Sequence, residues 1–324
     1  MSSPWQLLCP PEIDPVGPSA LDDIATSTGM DSYDSPQDAL ADIARYDAII
    51  VRATELDSEV IDRANNLQVI AKHGTGLDNV DIAAASRNGI VVCNTPGVNA
   101  QSVAEHALAL LFGVRRNLHT ADRHVREGGW DRGAYTGFEL QGSTLGLMGY
   151  GSIAQATATM ARGIGIDVTI YDPHYSDELP AAVDRVESLT DLFAVADAVS
   201  LHAPLVESTR HAVSTAQLAA LGADGVVVNT ARGGIVDETA LIAALDDGQI
   251  GGAGLDTFED EPLGAEHPLC DYENVLLTPH LGGVTHDALA QMSREAAANV
   301  RAVYERTLPE STVNRQQLSQ EVDQ

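Results

Sequence analysis

At 324 residues the chain has room for two domains of the usual ~150 residues, and its 47 acidic residues outnumber its 18 basic ones for a net charge of −29. That balance excludes roles that need clustered cations, such as gripping nucleic acid or an anionic membrane. Apolar runs such as 107–114 and 225–228 are far shorter than the ~20 residues that cross a bilayer, and the scattered Cys9, Cys93 and Cys270 suit neither a disulfide framework nor a zinc site. A soluble protein with buried free thiols and no metal is expected.

In chain order, residues 1–15 lack a basic segment followed by a long apolar one, so no signal peptide is read and a cytoplasmic location is expected. Short apolar runs at 48–51, 69–71 and 90–93 read as strands, and segments 36–45, 58–64 and 81–88 as the helices between them. This alternation predicts a parallel sheet with covering helices, a small first α/β domain. The turn cluster Asn94-Thr95-Pro96-Gly97 leads into a helix predicted over 102–127, with Val103, Ala107, Leu110, Leu111, Val114 and Leu118 on one buried face. Gly128-Gly129-Trp130 ends it. Residues to Gly142 then form an extended arm, whose Trp130 and Tyr135 suit packing against a second subunit or against their own chain.

Residues 145–173 read as strand, glycine turn, helix, strand and acid. Gly149 makes the tight turn, Gly151 lets the backbone approach a pyrophosphate, and Ala154 is small enough to pack the helix on the strand. The phosphate charge would sit at the helix N-terminus, among the amides of Tyr150, Gly151, Ser152 and Ile153. Asp172, 18 residues beyond Ala154, ends the second strand, where a carboxylate accepts hydrogen bonds from an adenosine ribose and repels a 2′-phosphate. The pattern predicts NAD in preference to NADP. Further strands are read at 198–201, 225–229, 252–256 and 275–278, with a helix over 239–247 between them, a long helix over 285–304 and a disordered polar tail at 319–324.

In an open α/β sheet, ligands collect beyond the carboxyl ends of the strands. Three segments there carry an arginine, a carboxylate and a histidine: 229–234 (NTARGG), 256–262 (DTFEDEP) and 278–283 (TPHLGG). Taken singly, each of Arg232, Glu261 and His280 reads as an ordinary surface or loop residue. His202 follows a strand and is set apart as a residue that lines the cofactor site, while the other histidines are read as structural.

With these motifs, and with GTGLDNVD at 74–81, VAEHALALLF at 103–112, HAPL at 202–205 and NTARGGIVDE at 229–238, the sequence resembles the D-isomer-specific 2-hydroxyacid dehydrogenases over nearly its whole length. The resemblance implies an α/β fold of two doubly wound parallel-sheet domains. A Rossmann NAD domain at 100–294 would be inserted into a flavodoxin-like substrate domain formed by 1–99 and 295–324. The stretch near Glu310 to Asn314 would return to the first domain, and the active site would lie in the interdomain cleft.

The same resemblance implies a catalytic set of Arg232, Glu261 and His280. His280 would act as acid and base, Glu261 would favour its imidazolium, and Arg232 would hold the 2-oxo acid's carboxylate and polarise the ketone. Cofactor contacts are implied at Gly149 to Ile153, Asp172, His202, Pro204, Thr209, Thr230, Ala231, Asp256, Gly282 and Gly283, with Asp256 near the nicotinamide carboxamide. Substrate contacts are implied at the amides of Thr75 and Gly76. Arg52 and Lys72, the chain's only lysine, are placed to meet a second anionic group such as a phosphate.

Family members are generally homodimers through the nucleotide domain, which suits the arm at 130–142. No regulatory domain is expected after residue 324. The alternatives are a reductase using NADPH, with Asp172 offset by His174 and Arg185, and an NAD(H)-sensing co-repressor-like binding protein. The acidic, lysine-poor composition resembles that of proteins from salt-loving microbes, in which counterions screen self-repulsion.

Overall fold

In the computed structural model, which describes residues 3–321, the chain divides into two compact units: Met1–Asn99 with Val284–Gln324, and Ala100–Gly283. The first contains β1 (Trp5–Cys9), α1 (Val16–Ser19), β2 (Ala25–Gly29), α2 (Pro36–Ala41), β3 (Ala48–Val51), α3 (Ser58–Arg63), β4 (Val69–Lys72), α4 (Ile82–Arg87) and β5 (Val91–Cys93). The second contains α5 (Ala100–Arg115), α6 (Leu118–Arg126), β6 (Thr144–Met148), α7 (Ser152–Gly163), β7 (Asp167–Tyr171), β8 (Val183–Arg185), α8 (Leu189–Val195), β9 (Ala198–Leu201), α9 (Thr215–Leu221), β10 (Val226–Asn229), α10 (Glu238–Asp246), β11 (Gly252–Leu255) and β12 (Val275–Leu277). Then α11 (His286–Tyr304) and α12 (Arg315–Glu321) rejoin the first unit.

The first sheet is wholly parallel in the order β2-β1-β3-β4-β5, which is the flavodoxin-like order. Strand β3 reads AIIV and is buried at every position, as a strand covered on both faces must be. Its side chains alternate: Ile49 and Val51 join Leu40, Ile43, Leu56 and Ile61 on one face, while Ala48 and Ile50 join Ala296, Ala297 and Val300 of α11 on the other. Each fully buried Val, Leu or Ile contributes about 1.5–3 kcal/mol relative to exposure.

The sequence reading ended the nucleotide domain at residue 294, inside α11. The helix is continuous from its cap, where Thr285 Oγ1 accepts from Ala288 N at 3.1 Å, and its Ala296, Ala297 and Val300 pack on the first sheet. Its contact with α1 is so close that a Cβ on Gly17 would lie 2.3 Å from the Ser293 carbonyl oxygen. Beyond it, Thr312 pairs with Cys93, and the Asn314 side chain accepts from Val92 N at 3.0 Å and donates to Ile90 O at 2.8 Å. The tail read as disordered over 319–324 is helical through residue 321; residues 322–324 lie outside the described residues.

The second sheet is also parallel, in the order β12-β11-β10-β9-β6-β7-β8. Counted from β6 this is 3-2-1-4-5-6 with a seventh strand added, the dinucleotide-binding order, and its direction reverses between β6 and β9. Apolar cores fill both faces. The helix expected over 102–127 is two helices, because Asn117 adopts the left-handed conformation at φ 52° and breaks the run; asparagine tolerates this better than most residues. Leu118, read as part of the buried face, is consequently exposed. In the arm, Trp130 is 80% exposed, whereas Tyr135 packs on His124 and Phe138 lies under the Arg115 guanidinium, 4.6 Å from ring centroid to carbon. Cys9 and Cys93 are buried and the Cys9 thiol is pushed up to about 12 by burial, but Cys270, read as buried, is exposed because its short 3₁₀ turn sits at the surface. Among the described residues no helix is long and apolar enough to cross a membrane.

Candidate active site

The end of β6 is shaped for a phosphate-bearing ligand. Gly149 has φ 88°, and a Cβ there would lie 3.0 Å from the backbone of His202, so only glycine fits the turn. A Cβ at Gly151 would meet nothing within 4 Å: that backbone faces open space. Helix α7 follows with no side-chain cap and no acid in its first turn, leaving its N–H groups and positive dipole end for an anion. Ala154 is fully buried against the strand. Asp172 Oδ2 accepts from Tyr150 N at 2.8 Å, and Oδ1 accepts from His174 N at 2.8 Å and Tyr175 N at 3.1 Å. Arg185 donates to the Asp172 and Tyr175 carbonyls. Gly turn, uncapped helix and terminal carboxylate fit a dinucleotide.

Other residues assigned to the cofactor divide into open and closed. Tyr150 has only its backbone open to a ligand, because its ring is buried edge-on against Tyr175. The Thr209 hydroxyl closes its own loop by donating to Pro204 O at 2.6 Å and accepting from Val206 N at 2.9 Å. The Thr230 hydroxyl and His202 Nε2 are buried without a hydrogen-bond partner among the described residues, and burial pushes the His202 ring down to about 4, keeping it neutral near pH 7. Asp256, read as a nicotinamide contact, is 1% exposed and its carboxylate is taken up by the chain: Oδ1 accepts from Thr278 Oγ1 at 2.6 Å and Leu281 N at 2.9 Å, and Oδ2 from Gly282 N at 2.8 Å.

Arg232, Glu261 and His280 come together at the carboxyl edge of β10, β11 and β12. His280 Nδ1 lies 2.8 Å from Glu261 Oε2. Half of the His280 side chain is exposed, and no described residue bonds its Nε2. Burial pushes the Glu261 carboxyl up, but the bonds from His280 and from Phe258 N and the charge of Arg232 outweigh it and hold the group below the usual carboxylate range. Beside the pair, a cavity of about 490 Å³ is lined by Phe258, Leu263, Leu277 and Pro279 among others. His280 is left-handed at φ 51°, an uncommon state for a residue with a side chain.

Both loops that carry the acid and the arginine are braced. Asn229, 1% exposed, donates through Nδ2 to Arg232 O at 2.9 Å and accepts from Ala231 N at 3.0 Å, folding the turn after β10. The loop after β11 is held to α10 by a reciprocal pair, Glu238 N to Glu259 Oε1 at 3.2 Å and Glu259 N to Glu238 Oε1 at 2.8 Å, with His211 on Glu259 at 2.9 Å. The sequence reading gave no role to this brace or to His106, whose Nε2 lies 2.9 Å from Thr278 Oγ1 and 3.3 Å from Asp256 Oδ1. His106 in the VAEHALALLF helix was the available signal, a polar residue one turn beyond Val103.

In the first unit, the loop after β4 turns at Gly74, φ 138°, whose N–H donates to Thr95 Oγ1 at 3.1 Å. The amides of Thr75 and Gly76 donate to no described protein group, a pair of open donors suited to a carboxylate. Lys72 departs from the expectation of a free cation. It is 9% exposed, and its Nζ donates to Arg52 O and Asn79 Oδ1, because a buried ammonium must be satisfied internally. Asn79 Nδ2 donates in turn to Thr54 O at 2.6 Å, so the lone lysine ties two loops together. The Arg52 guanidinium, among the described residues, makes a single long contact of 3.4 Å to Glu12 O.

Sheet orders, glycine turn and strand-end carboxylate define a two-unit α/β nucleotide-binding protein. Residues 108–282 match the family model described as D-isomer specific 2-hydroxyacid dehydrogenase, NAD binding domain, and the chain belongs to that family. It is similar to (S)-sulfolactate dehydrogenase of Chromohalobacter salexigens, with 43% identity over 78% of this chain and 83% of that one. It is also similar to D-3-phosphoglycerate dehydrogenase of Methanocaldococcus jannaschii, with 36% identity over 92% of this chain and 57% of that one. The chain thus spans little more than half the length of that relative. Among solved structures, an NADPH-dependent glyoxylate/hydroxypyruvate reductase from Sinorhizobium meliloti superimposes with a TM-score of 0.85 at 32% identity, covering 95% of this chain and 97% of that one.

Proposed function

We propose that the chain is an NAD-dependent oxidoreductase that interconverts a small D-2-hydroxy acid and its 2-oxo acid, with His280 as acid and base. The observation that carries this reading is the 2.8 Å His280–Glu261 pair beside Arg232, with Nε2 of the ring open. Glu261 accepts at Nδ1, so Nδ1 keeps its proton and Nε2 is the atom where the second proton is gained or lost. In reduction His280 gives that proton to the oxygen of the former ketone; in oxidation it takes the hydroxyl proton at the same atom. Glu261, held ionised, stabilises the imidazolium and fixes the ring. Arg232 offers a planar fork to the substrate carboxylate and opposes the negative charge that builds on the carbonyl oxygen. The nicotinamide cofactor supplies or accepts the hydride when bound.

The backbone of residues 149–153 would hold the pyrophosphate and Asp172 the adenosine ribose, with the carboxylate disfavouring a 2′-phosphate. Arg185 and His174 beside Asp172 are the groups on which use of NADP would rest. The first unit would be the substrate domain, with the Thr75 and Gly76 amides on a carboxylate. Arg52 supports a substrate with a second anionic group, in line with the sulfolactate and phosphoglycerate named for two relatives. The exposed Trp130 and Phe138 support a homodimer through the arm.

The test is NADH and NADPH oxidation in high KCl with glyoxylate, pyruvate, hydroxypyruvate, phosphohydroxypyruvate and sulfopyruvate. Turnover with NADH, fastest with an acid bearing phosphate or sulfonate and slowed by Arg52→Ala on that acid alone, is expected. Binding of NADH without turnover of any acid would replace this reading with a sensor.

A further inference from the structure

We propose that His106 is a positioning residue for the reaction, acting through Thr278 and Asp256 on the turn that carries His280; this rests on the reading of His280 as acid and base. The amides of residues 280–282 are all bonded to Asp256, with Thr278 O sharing the first. His280 N donates to Asp256 O at 2.9 Å and Thr278 O at 3.0 Å, and the next two amides donate to the Asp256 carboxylate.

Proton counting fixes the role of the imidazole. Thr278 has one hydroxyl proton, and the 2.6 Å bond to Asp256 Oδ1 uses it. The 2.9 Å contact from His106 Nε2 must therefore be donated by the ring to Thr278 Oγ1. The same N–H is 3.3 Å from Asp256 Oδ1, so His106 supplies the carboxylate both directly and by polarising the threonine hydroxyl.

The ring also sits against the turn. A Cβ on Gly282 would lie 3.0 Å from Asp256 Oδ2, 3.6 Å from His106 Cδ2 and 3.7 Å from Val103 Cγ1. Burial pushes the Asp256 carboxyl up, yet the bonds from His106, Thr278, Leu281 and Gly282 hold it below the usual range. A buried anion with one donor removed redistributes the rest. Here the rest are the amides that hold His280 in its left-handed state.

His106→Leu keeps bulk and removes the donor; His106→Gln keeps an N–H near the Nε2 position. For the full chain, the saturating rate of substrate reduction, kcat, is expected to fall about 10–100-fold in His106→Leu, as for a displacement near 1 Å. KM for substrate and cofactor should change less than about 3-fold, and His106→Gln should restore most of the loss. A carboxyl ¹³C titration of Glu261 reads the same effect without turnover: its pKa should stay below the usual range in the parent and His106→Gln, and move up in His106→Leu. Should His106→Leu not fold, Thr278→Val breaks the same link and should reproduce both effects. Parental kcat and an unmoved Glu261 titration in the donor-less variant would overturn the proposal, as would failure of His106→Gln to restore either readout. If the parent itself turns over no 2-oxo acid, the dehydrogenase reading fails while the Glu261 titration still decides the positioning role.

Discussion

Gly233→Ala should separate the two loops that carry Arg232 and Glu261. A Cβ at residue 233 would lie 1.8 Å from the carbonyl carbon and 1.9 Å from the oxygen of Phe258, and 2.4 Å from Glu259 N. These are backbone atoms, so no rotamer change relieves the contact. Reaching an ordinary separation of about 3.4 Å requires the loops to part by roughly 1.6 Å. The reciprocal Glu238–Glu259 bonds resist that movement, and Phe258 N is itself bonded to Glu261 Oε1 at 3.1 Å. Overpacking of this kind costs about 1–3 kcal/mol of stability, and a shift above 1 Å at a reacting group costs about 10²-fold in rate. The control is Gly163→Ala at the end of α7, where a Cβ meets nothing within 4 Å; it should be neutral or stabilise by up to about 1 kcal/mol. Urea unfolding and steady-state kinetics measure both. Parental stability and kcat in Gly233→Ala would refute the packing argument.

Asp172→Asn removes the charge and one of the acceptor oxygens, so the NADH over NADPH preference in kcat/KM should fall about 10-fold, or about 1.4 kcal/mol; an unchanged ratio would show that Asp172 does not set it. Glu261, Asp256 and Asp237 are all held below their ordinary values in the folded state, each by hydrogen bonds that outweigh the upward push of burial. The stability they contribute is therefore present above the unfolded carboxylate values near ~4 and lost as pH falls through their folded ones. Glu238, pushed up by burial and by the negative charge of Glu259 against the lowering bond from Glu259 N, opposes this trend, so urea midpoints at high salt should fall below pH ~4 and fall less steeply in Glu261→Gln. With a net charge of −29, the urea midpoint should rise between 0.1 and 2 M KCl as the screening length drops from ~10 Å to below ~3 Å; a flat or falling midpoint would contradict a stability limited by self-repulsion.

The second sheet was the most legible part of the chain, because buried parallel strands are continuous apolar runs and the turn after β6 needs glycine at fixed positions. The run at 198–201 matches β9 residue for residue. Strands β2, reading ATSTG, and β8, reading VDR, carry little apolar signal because they are the outermost strands of their sheets. The break at Asn117 was hidden because apolar spacing continues across it. The places of Arg232, Glu261 and His280 after three successive strands were legible in the sequence, but what holds them was not. The Glu238–Glu259 brace, the burial of Asp256 and the donor role of His106 arise from contacts between residues 21 to 172 positions apart. Lys72 misled for the same reason: a lone cation at a strand end reads as a ligand site until its acceptors, Arg52 O and Asn79 Oδ1, are seen.

The most direct test of the account is His280→Gln in a chain that still binds NADH, with binding followed by cofactor fluorescence and turnover by single-turnover kinetics. Loss of the Nε2 acid should slow 2-oxo acid reduction about 10²–10⁴-fold with NADH affinity retained. Reduction at the parental rate by the folded, cofactor-bound variant would contradict the assignment of His280 as the proton donor.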